Sequence, residues 1–483
     1  MKTLTSILII SLLMLSLNAC SSGTTDNITA ETTAVSTEAQ TEAVITAALE
    51  VRDTGGFELK LGKPTQANML WSNISFAVAE ENGEVLNDEI YRRNQKICEL
   101  YNCSIAETEL SNAQSTVTSE TAAGDTTYDI YLIELSKAAA SSREGIFLNF
   151  HELPVLELEG KWWDQDMLRD LNIYGGQYFM NGDVIFSVYD NLRTIMYSKH
   201  LAEDLQLGDF YPMAESGGWT VDIMLSMTRI ATADLNGDGI MDYRDRFGLL
   251  YNNSSYSAFM TSQGFRTIEN SGDGMAVNIL SEKFVKVYDN LVKIFEIGQV
   301  FHYNNDKYPG LTARQAITTM FDAKQALFFE NGMSAASQYM RNVENVDFGF
   351  LPCPKLDEAQ DRYYSFVAIG APVLTFPITT AGERLENSCL IIEALCRESS
   401  ESVVPVYFET CFSNKYTRDE KSYEMILLAT ESRTYDIGLV FNPAKMLDII
   451  STGIKNNQAE IMSSLTAVES AIDVELKDLD LTK

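Results

Sequence analysis

The twelve residues from Asp234 to Asp245, DLNGDGIMDYRD, alternate oxygen-bearing side chains with small or turning residues. As a twelve-position loop they place Asp234, Asn236, Asp238, the carbonyl of Ile240, Asp242 and Asp245 where an EF-hand-type site puts its ligands, with Gly239 at the sharp turn. Alternate positions turn their oxygens inward, and an all-oxygen shell suits a hard cation. Asp242 is expected to act through a water. Asp245 stands where Glu is usual, so bidentate closure is less secure and affinity lower. Extracellular calcium near millimolar would still fill such a site. Six protein groups leave little room for a substrate, so the expectation is structural Ca2+ that staples the fold, not a catalytic metal. The competing reading is an Asx-rich turn that holds no ion.

A second chemical signal lies at the start. Met1-Lys2 is short and positively charged, and an apolar run from Ile7 to Leu17 follows, too short to span a bilayer. It ends in Leu17-Asn18-Ala19-Cys20, which resembles a bacterial lipobox whose cysteine receives diacylglycerol. The expectation is a lipoprotein signal peptide over 1–19 and lipidation of Cys20. Acyl chains on one residue then hold the chain at the cell membrane, facing the extracytoplasmic side. Residues 20–56 are rich in Thr, Ala, Ser and Glu, without an aromatic residue; nothing there offsets the entropy of ordering, so they read as a tether.

The remainder must be globular. The chain has 483 residues, 45% hydrophobic and 22% charged, enough for two to four domain-sized units at about 150 residues each. Its 36 Lys and Arg against 68 Asp and Glu leave −32, a field that repels phosphate backbones and makes nucleic acid an unsuitable partner. Three scattered histidines cannot build a His-rich metal site, and the HExxH, GxSxG, SxxK, Walker A and GxGxxG signatures are missing.

These groups need a scaffold, and the hydrophobic pattern supplies an α/β one with parallel sheets. Leu86, Ile90, Ile97 and Tyr101 share one helical stripe, with Tyr91 and Cys98 beside it. Strand-like runs are Ile74–Ala79, SIAETEL after Cys103, the near-continuous YDIYLIEL over 128–135, Val346–Leu351 and FVAIGAPVL after it. A helix over Trp219–Ala231 opens at Thr220 as N-cap and shows Ile223, Met224, Met227, Ile230 and Ala231 on one face. The last hundred residues read mostly as helices.

In this order YDIYLIEL, KWWDQD at 161–166, the stretch from GGWT to DLNGDGIMDYRDRFGL at 217–249, FDAKQALFFENG at 321–332, VDFGFLPCPKLDEAQDRYYS at 346–365 and YDIGLVF at 435–441 resemble bacterial family 1 extracellular solute-binding proteins. LNDEIYRRN at 86–94 matches a recurrent stretch of one branch, and the likeness covers nearly all of 70–445. The resemblance implies a two-lobe, periplasmic-binding-protein-like α/β fold with a hinge and a ligand cleft between the lobes. It assigns 57–188 plus 347–405 to lobe 1 and 189–346 plus 406–483 to lobe 2, with the first crossing near Val184–Asn191.

Such a cleft implies ligand groups on loops at strand ends. The candidates are Glu81, in Glu80-Glu81-Asn82; Glu134 and Ser136; Asp190, in Tyr189-Asp190-Asn191; Tyr251 and Asn252, before Asn253; and Glu330 and Asn331. Aromatic faces stack on sugar C–H surfaces while carboxylates and amides meet hydroxyls. Trp162 and Trp163 invite stacking, but their place among helices favours core packing. Beyond Cys20 the six cysteines (98, 103, 353, 389, 396 and 411) read as buried thiols in a body with no need of staples, with Cys98–Cys103 the pair to examine.

The implied function is a non-enzymatic, monomeric receptor that captures a polar solute, with an oligosaccharide favoured, for ABC permease transmembrane subunits. Two alternatives remain open. One is a secreted, calcium-stabilised carbohydrate-active enzyme, which needs two carboxylates about 5–10 Å apart. The other is a surface binding lipoprotein without a transporter.

Overall fold

The computed structural model describes residues 49–480 except 70–71, 73–74, 272–273, 297, 307, 341–346, 411–418 and 459. The apolar leader, Cys20, most of the tether and Cys411 lie outside the described residues. The tether ends sooner than its composition implies. Arg52 donates to Asn387 Oδ1 at 3.0 Å. The Thr54 and Gly56 amides donate to the carbonyls of Tyr101 and Asn102 at 2.9 Å each. Among the described residues no helix is long and apolar enough to cross a membrane.

The strands in chain order are β1 (Phe57–Pro64), β2 (Cys103–Leu110), β3 (Ile130–Glu134), β4 (Arg193–Ser198), β5 (Phe247–Tyr251), β6 (Ile268–Asn270), β7 (Met275–Val277), β8 (Val300–His302), β9 (Ala326–Gly332), β10 (Phe348–Leu351), β11 (Ser365–Phe366), β12 (Pro372–Thr375) and β13 (Arg433–Thr434). β6 with β7 and β11 with β13 form two-stranded pairs, and the other nine strands build two larger sheets, the centres of two lobes. The first has the order β12-β3-β1-β2, with β1 parallel to both neighbours and β12 antiparallel to β3. Ile130, Tyr131, Leu132 and Ile133 are all buried, as the unbroken apolar run requires of a strand covered on both faces. The second has the order β10-β4-β9-β5-β8, with β5 parallel to β8 and β9, and β4 antiparallel to β9 and β10.

Helices cover both sheets. Val85–Tyr101 buries Leu86, Ile90, Ile97 and Tyr101, as its spacing predicts, and packs on the long helix Gly382–Glu401. Arg93 and Asn94 complete its buried face. Helix Val221–Ala231 lies on β5, and Gly248 permits it: a Cβ there would meet Thr228 Cα at 2.6 Å. Thr220 takes the N-cap position without a side-chain hydrogen bond. The buried face is rotated from the expected one. Val221, Leu225 and Thr228 point inward beside Met224, Met227 and Ala231, while Ile230 is exposed.

Two further expectations are corrected. The described part of 74–79 is not a strand. Side chains satisfy its backbone instead: Glu107 accepts from the Phe76 and Ala77 amides at 2.9 Å, and Arg93 and Asn94 donate to the Phe76 carbonyl. In addition, β10 joins the second lobe's sheet, so the chain returns to the first lobe after Leu351 and not at 347. The tail is shared too. Helix Glu420–Glu431 packs on β10, whereas Ile437–Phe441 packs on helix Leu135–Ser142 of the first lobe.

Candidate functional site

Three chain segments run side by side between the sheets. Leu192 bridges Val367, Ala368 N–H donates to Asn191 O at 3.0 Å, and β11 pairs in parallel with β13. This three-segment junction is the hinge. The first crossing follows a buried 3-10 segment, Asp183–Asn191. Arg433 stands over the Tyr189 ring at 5.3 Å and within 3.5 Å of Asp164 Oδ2, which also accepts from the Tyr435 hydroxyl at 2.8 Å.

The ends of β3 and β5 approach this junction. Ser136 N–H donates to Ile369 O at 3.0 Å, which ties the turn after β3 to the second crossing. Ile369 and Phe366 line a cavity of about 340 Å³ together with Asn253 and Ser254 from the turn after β5, with Tyr256 and Ser257 from the helix that follows, and with Asn442, Asp448 and Lys455 from the tail. The cavity therefore sits where two lobes and a hinge meet, at strand ends, the place where open α/β sheets bind ligands. A second cavity of about 370 Å³ lies at the other end of helix Ser255–Ser262, lined by Thr261, Gly264, Arg266, Glu269, Tyr364 and Thr434.

The structure sorts the sequence candidates. Asn252, Glu330 and Asn331 come together, but around a buried residue the sequence reading missed. Arg193, the first residue of β4, is 4% exposed, and its guanidinium grips Glu330 at 2.7 and 2.5 Å. It also donates to Asn252 Oδ1 at 3.1 Å and Asn331 Oδ1 at 3.3 Å. Tyr303 accepts from the Asn331 amide at 3.0 Å and from that of Asn252. Burial pulls the Arg193 guanidinium down, but the Glu330 charge and hydrogen bonds, with smaller contributions from Tyr303 and Cys353, together hold the group above its ordinary value. Glu330 is fully buried with both oxygens on Arg193, so it props the wall from behind and does not meet a ligand. Only the charge at the start of an otherwise apolar strand, in DNLRTIMYS, hinted at Arg193.

Other candidates are placed differently. Asp190 is buried and accepts from Tyr407 Oη at 2.6 Å, inside the hinge support. Asn191 donates to Ser72 Oγ at 2.6 Å. Glu134 caps the end of β3, mostly buried, and pairs with Lys137 at 2.9 Å. Glu81 is an exposed surface residue paired with Arg92 at 2.9 Å. Tyr251 is half-buried against Phe295, His302 and Tyr256, with ring centroids 4.8, 4.7 and 6.0 Å away. Its ring is part of the packing, so removing it would disturb the fold as well as any stacking face. Trp162 and Trp163 are core residues.

The acidic loop keeps the expected backbone bends but not a gathered ligand shell. Asp234 accepts from the Gly237 and Gly239 amides at 2.7 and 2.8 Å, which lowers its carboxyl below the usual range, and Gly239 has φ +79°. Asp245 is fully buried and accepts from the Leu235 and Asp242 amides at 3.0 and 2.8 Å. It is the clasp that closes the loop, and not an open twelfth ligand. Arg244 lies on Asp238 and Asp242 at 2.8 and 2.7 Å. Among the described residues no group of three or more acidic, histidine or cysteine side chains is placed to hold a metal. The oxygen donors suit a hard cation by chemistry, while the side chains as they stand do not fit one.

Solved proteins share this fold. The galacto-N-biose/lacto-N-biose I-binding protein of a Bifidobacterium longum ABC transporter matches with TM-score 0.58 at 10% identity, over 88% of this chain and 98% of that one. The chain has the fold of the extracellular solute-binding proteins. A Staphylococcus aureus extracellular solute-binding protein in complex with maltose shares this solute-binding fold with TM-score 0.56 and 12% identity, over 88% and 98% of the two chains. A family 1 member from Bifidobacterium longum subsp. infantis gives 0.54 and 12%, over 87% and 100%. No family model matches the sequence, and no curated protein matches it.

Asp183, which opens the segment leading into the first crossing, should give folding a pH dependence. Burial raises the Asp183 carboxyl to about 7, against the hydrogen bond of Ser400 and the charge of Arg433. The native state then keeps a proton up to about pH 7 that the unfolded chain releases near pH 4. This group's contribution is therefore favourable at low pH and falls as pH rises from 4 to 7, by a few kcal/mol, then levels off. Asp183→Asn should remove that slope. Urea unfolding at pH 5 and pH 8 checks it: the variant should gain on the wild type as pH rises, and parallel curves would refute the assignment.

Proposed function

We propose that this chain is a family 1 solute-binding lipoprotein that captures a polar solute of the carbohydrate class and delivers it to ABC permease subunits. The observation that carries the reading is the cavity of about 340 Å³ at strand ends beside a three-segment hinge, walled by amides, hydroxyls, two aromatic rings, four aliphatic side chains and the charged Asp448 and Lys455. Neutral hydroxyl-rich ligands suit that lining. Neighbours of the same fold were solved with maltotriose, maltose and lacto-N-biose. The leader and Cys20 support anchoring outside the cytoplasm.

The hydrolase alternative is less well supported. Glu134 is paired with Lys137, Asp190 with Tyr407 and Glu330 with Arg193, and the cavity lining holds one carboxylate, Asp448. A glycosidase needs two facing the same bond.

Titration calorimetry against maltotriose, maltose and lacto-N-biose should give a one-site isotherm with at least one sugar. Scattering should show a smaller radius of gyration with that sugar, because a ligand shifts a hinge by its preference for the closed state. Ser257→Trp, which fills the cavity, should abolish the isotherm while the protein still melts cooperatively. Sugar consumed with product appearing would move the chain to the enzymes, and binding without compaction would remove the hinge mechanism.

Calcium in the acidic loop is a separate proposal and requires Arg244 to leave Asp238 and Asp242. Calcium after EDTA treatment should then raise the melting temperature by mass action on the native state. An unchanged melt in EDTA, with no residual metal, would leave the loop as a turn closed by Asp245 and Arg244.

A further inference from the structure

Helix Val85–Tyr101 ends on Asn102 in the left-handed conformation, φ 48°, with its amide on Cys98 O. That reversal brings the side chain four places before the cap residue back against the one just after it, here Cys98 and Cys103. Cys103 opens β2, at the sheet edge, and its sulfur lies 4.0 Å from Ile97 O. The two thiols hydrogen-bond each other, which holds Cys98 below the ordinary thiol range and Cys103 above it. Both are free and partly exposed, whereas Cys353, Cys389 and Cys396 are buried.

We propose that Cys98 and Cys103 are a redox pair that closes to a disulfide, locking helix Val85–Tyr101 to the edge of the first sheet. The oxidant is a low-molecular-weight disulfide. The Cys98 thiolate attacks one of its sulfurs and expels the first small thiol. The Cys103 thiolate then attacks Cys98 Sγ and expels the second. The two cysteines lose two electrons, the small disulfide is reduced to two thiols, and these carry away both protons. The lowered Cys98 supplies the thiolate that exchange requires. The locked helix is the one whose Arg93 and Asn94 hold the Phe76 carbonyl on the loop after β1. The inference does not depend on what the cavity binds.

The reduced full chain is incubated with excess oxidised glutathione, alkylated without denaturant and cut with a glutamate-specific protease. Cleavage after Glu99 separates the two cysteines, so a disulfide is read directly as two peptides held together and lighter by two hydrogens. The expected result is that linked species, protected from alkylation, with a melting temperature several degrees above the reduced form. Cys98→Ser and Cys103→Ser should each leave one glutathione adduct and no thermal gain. Two separate glutathione adducts on the wild type, or two alkylated thiols, would overturn the proposal; neither reading requires the variants to fold.

Discussion

Replacing Arg193 with alanine is expected to destabilise the protein by about 3–5 kcal/mol, because it strands a buried charge. Glu330 has no exposure, and both its oxygens rest on the Arg193 guanidinium. Without that partner the carboxylate must stay charged in a dry site or take a proton, and either outcome weakens folding. The same change removes one of the partners that position Asn252 and Asn331, the amides beside the cavity turn, so sugar affinity should fall as well. Arg193→Met with Glu330→Met separates the two effects. An apolar pair of similar volume should recover most of the stability, since paired burial of charge adds little in itself. It should not restore the amide positions. Denaturant unfolding of the three proteins measures this. A loss below about 1 kcal/mol for the single alanine variant would mean that water reaches the pair, as at exposed ion pairs.

Trp163→Ala should cost a similar amount, about 3–5 kcal/mol, for a different reason. The indole is 2% exposed, meets Phe150 edge-to-face at 6.2 Å and donates from Nε1 to Glu393 Oε2 at 2.9 Å. Glu393 is itself fully buried, with its other oxygen held by Arg397 at 2.8 Å. Truncation therefore opens a cavity and removes the donor from a buried carboxylate. Trp163→Phe keeps most of the packing and loses only the donor, so about 1–3 kcal/mol is expected. Sugar affinity of the folded fraction should be unchanged in both. A selective loss of affinity with normal stability would return Trp163 to a stacking role.

Neighbouring Trp162 shows why tryptophans on a sequence are poor guides to a sugar site. Arg397 covers its ring at 4.2 Å, so the stacking face is taken by a cation of the same lobe. Glu330 and Asp190 turn away from the cavity for a related reason. A polar residue after an apolar run marks the end of a strand, and that much was correct for Glu134, Tyr251 and Asn331. Whether such a residue faces a cavity or turns inward depends on a partner far along the chain, 137 residues away for Glu330 and 217 for Asp190. No spacing rule carries that information.

The sequence by itself determined the local and the periodic. It placed helix Val85–Tyr101 with its buried stripe, the buried strand β3, the N-cap position of Thr220 and the bends of the acidic loop at Gly239. Each depends on residues within a turn or a few positions of one another, where backbone sterics and side-chain direction decide the outcome. The two-lobe order followed from the series of motifs taken together. Only the tertiary structure decided that β10 belongs to the second sheet, that Glu107 and Arg93 replace a strand ladder around Phe76, that Asp245 is a clasp, and that Arg193 organises the second-lobe wall. These are choices between hydrogen-bond partners of nearly equal intrinsic strength. Burial settles them, because once water is excluded an unpaired charge or amide costs more than any local preference can supply.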